Sequence, residues 1–268
     1  MIVRINLIQW TLVVLPFLAV AQPKQFVTSA RSGDSVRQSR TVITPTETVT
    51  PSTEISSSSD TDATHISVNT LPLFGERPKT AAQIGEEIHF LNDCDRNFAS
   101  RSEASDFFAN RGWDYVANGQ LDTAAYRFNL SWLLNDRNAD AYWGLGVVCY
   151  QKNQLPDAIR MLKRGLAVAD SNVVLMTDLA TVEIKHYQDK ANAEALTDAE
   201  KHLQRAIGIS PANATSHQKL SVVYYLRADY AKAWDYLHQA HHLDLSSLDL
   251  GYVNELLAKQ PDPKGIFK

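Results

Sequence analysis

Three histidines, His238, His241 and His242, stand close enough along the chain that two of them would share one face of a helix. That is the spacing at which imidazole nitrogens can chelate a metal ion, and it is equally the spacing of ordinary surface or interface histidines. Asp93 and Asp95 have the Asp-x-Asp spacing that opens a calcium loop, but the glycine and the closing glutamate are missing, which leaves a solvated pair on a helix. The two cysteines, Cys94 and Cys149, form an even pair. A bridge between them would close a loop of roughly 55 residues and contribute about 2–4 kcal/mol. Cys149 also falls on an apolar face, where a free thiol behaves as a small hydrophobe. Neither cysteine has a further Cys or His at zinc spacing, and phosphate loops, Gly-x-Ser-x-Gly elbows and His-Glu-x-x-His pairs are absent. These residue types point to no catalytic centre and to no cofactor.

The 268-residue chain has 44% hydrophobic and 21% charged residues and a formal charge of -4. A mildly acidic balance offers no footprint for nucleic acid and no polybasic attraction to lipid. Arg4 precedes an apolar run from Leu7 to Ala21 that ends Ala19-Val20-Ala21, the pattern of a secretory leader spanning residues 1–21. The run is short for a membrane span, so cleavage is the expected fate and an uncleaved anchor the alternative. The mature protein is then expected to be periplasmic or secreted, without membrane insertion. Between Gln22 and Thr70, 20 of 49 residues are Ser or Thr, which buries too little apolar surface to offset the entropy of ordering. Residues 22–79 therefore read as a disordered linker.

The positioning elements are helical. From about residue 80 to 260 apolar residues recur at i, i+3, i+4 and i+7, and breakers at Asn118-Gly119, Asn153 with Pro156, Pro211 and Gly251 divide the pattern into helices of about 12 to 15 residues. Small residues Gly112, Gly146, Ala180 and Ser221 are separated by 34, 34 and 41 positions. Ala124, Ala158, Ala199 and Ala233, and likewise Phe128, Leu162, Leu203 and Leu237, are separated by 34, 41 and 34, as are Ser131, Gly165, Ala206 and Ala240. A slip of seven lies between Lys185 and Leu196, as longer helices or as a loop.

A period of 34 with two helices per unit, and Gly112, Tyr115, Gly119, Ala124, Phe128 and Asp136 in the first unit, resembles the tetratricopeptide repeat (TPR) family. Cys149 and Glu183 depart from its usual Tyr. The resemblance implies an all-α fold: a right-handed α-solenoid of about four units (105–138, 139–172, 173–213, 214–247). Helices around Ile84 to Phe98 and Leu250 to Lys259 would cap it. It also implies a concave groove lined by Trp113, Trp143, Val147, Tyr150, Thr177, Thr181, Gln218, Val222 and Tyr225, with Trp113 and Trp143 alternatively in the inter-repeat core. The function it implies is a non-enzymatic scaffold whose partner is a protein or peptide; the alternatives are self-association through a weak end cap and, third, a metal protein or enzyme using the histidine cluster. Asn129 and Asn213 fit glycosylation sequons, and only Asn213 falls in a turn.

Overall fold

The computed structural model describes residues 67–268. The leader and most of the linker lie outside the described residues. Among the described residues ten α-helices follow one another: α1 (Ala81–Asn97), α2 (Arg101–Ala117), α3 (Leu121–Leu134), α4 (Ala139–Gln151), α5 (Leu155–Val168), α6 (Val173–Lys190), α7 (Ala193–Ile209), α8 (Ala214–Leu226), α9 (Tyr230–Leu243) and α10 (Leu250–Lys259). No strand occurs among the described residues. The main packing pairs are α2 with α3, α4 with α5, α6 with α7 and α8 with α9, and each hairpin then packs on the next. The chain is thus an α-solenoid of four helical hairpins.

The period is visible in the caps and in the core. Asn138, Asn172 and Asn213 accept backbone N–H bonds at the N-termini of α4, α6 and α8. Ala124, Ala158, Ala199 and Ala233 are fully buried, and Phe128, Leu162, Leu203 and Leu237 lie between the helices of their hairpins. A Cβ on Gly112 would lie 2.6 Å from the Phe128 ring, and one on Gly146 would lie 2.6 Å from Leu162 Cγ, so only glycine permits that approach. In the fourth unit Ser221 takes this place and donates its hydroxyl to the Ala233 carbonyl at 2.6 Å.

The seven-residue slip lengthens helices. α6 runs further at its C-terminus and α7 starts earlier than the hairpins on either side, joined by a tight turn through Ala191 in the left-handed region (φ 53°). The equivalent turns use Gly119, Asn153 and Ala228, all at positive φ. Gly251 does not break a helix; it is the second residue of α10, beside the Asp249 cap.

The folded part starts within the stretch assigned to the linker. Val68–Thr70 forms a 3-10 turn, and Leu73, Phe74, Gly75 and Glu76 follow in the left-handed region. A non-glycine residue there costs about 1–2 kcal/mol, so this strap must be held from outside. Leu73 is buried, and Asn129 of α3 accepts its N–H (2.8 Å) while donating to the carbonyls of Asn69 and Leu71 (2.8 Å each). Asn129 is fully buried, which is why its sequon is committed to structure.

The N-terminal end differs from expectation. On α1 the apolar row Ile84 and Ile88 faces outward (46% and 52% exposed); Cys94 is its buried residue, beside Phe90 packed edge-on to Phe108. α10 caps the other end with Tyr252, Val253 and Leu256, and the following tail folds back over α9, where Asp262 accepts from His238 Nε2 (2.8 Å) and Phe267 stacks on His238 and Trp234. The possible Cys94–Cys149 bridge is not formed. Cys94 packs with Ala104, Phe108 and Leu134, and Cys149 with Leu155, Leu175 and Met176, so the two free thiols belong to separate clusters.

Candidate binding groove

Curvature follows from which helices touch. The first helices α2 and α4, and α6 and α8, contact each other directly, whereas no two second helices do so comparably; the first helices therefore line the concave side. All nine residues expected in the groove lie on these helices. The structure divides them.

Trp113 is core: its ring packs edge-on against Phe128 (5.2 Å) and Trp143 (5.3 Å). Val147, Thr177, Thr181 and Gln218 are also buried. Thr177 Oγ1 donates to the Val173 carbonyl and lies 2.8 Å from Ser216 Oγ, and Thr181 Oγ1 donates to the Thr177 carbonyl. Only the Thr177–Ser216 contact joins neighbouring first helices, α6 and α8; the two carbonyl bonds lie within α6. Trp143, Tyr150, Val222 and Tyr225 stay half-buried and form the reachable wall.

Between them runs a polar row. Trp143 Nε1 of α4 donates to Asp178 Oδ2 of α6 at 2.8 Å. Asp178 keeps part of its surface toward solvent, yet its carboxyl sits deep among protein atoms. Burial pushes it up to about 7, against the pull of the Trp143 bond and the Lys219 charge. Lys219 of α8 is brought down to about 8 by burial, opposed by Asp249 and Asp178. Tyr150 is raised by burial, with Lys185 opposing and Asp189 and Asp178 adding. Lys185 and Asp189 pair with each other at 2.6 Å.

Asp178 and Lys219 were not among the expected residues. Both stand two positions before the repeated small residue, in register with Asn110 and Gly144. Their periodic spacing was a usable signal; their burial was not. At the neighbouring register Glu183, where the family pattern has Tyr, is buried and meets His202 Nδ1 at 2.9 Å, while Tyr224 keeps the tyrosine and donates to Glu200 (2.8 Å).

The residues that suggested metal chemistry have structural partners. Among the described residues no group of three or more His, Cys, Asp or Glu side chains could hold a metal ion. His238 belongs to the tail contact, His241 meets the Phe267 ring edge, and Asp95 is paired through two bonds with Arg101. Asn213 caps α8 and accepts from Ser216.

Two helices per unit, four units in register and a first-helix concave face decide the architecture. The fold is TPR-like. No family model matches this TPR-like chain, and no curated protein matches it in sequence. Solved structures similar to it include a thermophilic TPR protein of Thermus thermophilus (22% identity, 58% of this chain and 87% of that chain, TM-score 0.48). PilF of Pseudomonas aeruginosa is also similar (18%, 63% and 79%, TM-score 0.49), as is the MamA RS-1 ArsTM double mutant (15%, 60% and 86%, TM-score 0.50). At these identities the likeness concerns the TPR-like fold alone. No helix of the described residues is long and apolar enough to cross a membrane.

Proposed function

We propose that this chain is a non-catalytic interaction module that binds a protein or peptide partner along its concave face, outside the cytoplasm. The observation that carries the reading is the row Trp143–Asp178–Lys219, flanked by Tyr150 and Tyr225. Aromatic anchors with polar tips favour peptide contact. Half-buried charges held away from their ordinary ionisation cost stability and gather at functional sites. Export rests on the apolar run Leu7–Ala21 and its Ala-x-Ala end.

The test is a crosslinking pull-down from the envelope fraction with wild type and an Asp178→Asn, Lys219→Met double variant. Removing both charges is expected to keep or raise stability while losing the partner. Full recovery of the partner by a folded double variant would overturn the groove assignment.

A second reading, end-to-end self-association, is favoured by the exposed Ile84 and Ile88 at one end and Leu245 and Leu250 (64% and 66% exposed) near the other. Sedimentation across protein concentrations tests it, and a strict monomer removes it.

A further inference from the structure

The strap of residues 69–76 meets α3 and α5 as a ligand meets a receptor. Asn129 clamps its backbone in both senses, accepting one N–H and donating to two carbonyls, a recognition indifferent to side-chain identity. Leu73 supplies the apolar anchor at 1% exposure. Glu76 supplies the charge anchor, its carboxylate held between Arg160 and Arg164 of α5, the latter at 2.7 Å. Backbone clamp, buried leucine and paired arginines are the parts of a peptide site.

The strap is also strained and only partly covered. Within 72–76 only Pro72 and Leu73 are buried, and four successive residues are left-handed, three of them not glycine. A cleft of about 170 Å³ lies beside it, lined by Asn69, Phe74, Lys79, Glu87, Tyr126 and Leu130. Residues 77–80, which join it to α1, are mostly exposed.

We propose that the face formed by Asn129, Arg160 and Arg164 is a docking site for a left-handed turn segment with a leucine anchor followed three residues later by a carboxylate. Its own strap fills the site in cis, and the strap of a second copy can fill it in trans. The site lies on the second helices, so it stands apart from the concave groove. The cis strap, tethered at high effective concentration, normally wins. Exchange appears when it is weakened, and a symmetric pair exchanging both straps would close as a dimer.

The test is complementation between two full-length variants. Leu73→Asp spoils the strap and leaves the site intact, whereas Asn129→Ala spoils the site and leaves the strap intact. Mixed at about 100 µM, they are expected to form a 1:1 complex by sedimentation, and excess synthetic peptide of residues 67–77 is expected to dissociate it. End-to-end association would resist that peptide. Should Asn129→Ala lose helicity, Arg160→Glu with Arg164→Glu replaces it as the site-defective partner. Helical but non-associating mixtures, or a complex the peptide leaves intact, would overturn the proposal.

Discussion

The indole N–H of Trp143 and the carboxylate of Asp178 meet at 2.8 Å across the joint between the second and third units. One hydrogen bond to an indole replaces little of the hydration that the carboxylate gives up. Its ionisation is displaced toward neutral pH, and the energetic cost is located on the concave face.

That displacement has a sign. In the folded chain Asp178 titrates near 7, against an ordinary value of 3.8, so between these values the folded chain holds more protons than the unfolded one. Stability contributed by Asp178 is full below the lower value and falls as pH rises toward 7. Asp178→Asn removes this dependence while its carbonyl still accepts from Trp143. Urea unfolding is expected to show the wild type losing about 1–2 kcal/mol relative to the variant between pH 5 and pH 8. Parallel profiles would refute the assignment. Lys219, brought down to about 8, acts oppositely in its own range, its contribution rising with pH above 8.

Gly144 is in register with Asp178, and a Cβ there would lie 2.1 Å from the Phe128 ring, a clash. Gly144→Ala is expected to cost about 1–3 kcal/mol by overpacking. Phe128→Leu in the same chain should recover part of that loss, giving a favourable coupling in a double-mutant cycle. Additive losses would place the strain elsewhere.

Ala228 turns from α8 to α9 at φ 59°, where the first unit uses Gly119. Ala228→Gly is expected to stabilise by about 0.5–1 kcal/mol, because relief of the left-handed strain outweighs the flexibility glycine gives the unfolded chain. Thermal unfolding decides, with a lowered midpoint as the contrary result.

Cys94 and Cys149 are both buried, and burial pushes their thiols up to about 11 and about 12. A thiol reagent at neutral pH is expected to modify neither in the native chain and both after unfolding. Reductant should leave the unfolding midpoint unchanged; a drop on reduction would mean that a bridge exists.

The sequence by itself determined the repeat architecture. Gly112, Gly146, Ala124 and Phe128 with their equivalents recur at a fixed period because helix-to-helix contact inside each hairpin is local and demands small or filling residues at set positions. The resemblance to TPR proteins, and not the period itself, assigned the concave face to the first helices. Tertiary structure alone decided which of their side chains stay reachable. Thr177 and Thr181 look like groove residues by period, but both are buried: Thr177 meets Ser216 of the next first helix, and Thr181 bonds back within α6. Asp178 and Lys219 look like solvated charges until three units close around them. The strap of Leu73 to Glu76 has no period at all: its left-handed turn exists because Asn129 and the α5 arginines, more than fifty residues away in sequence, hold it from outside.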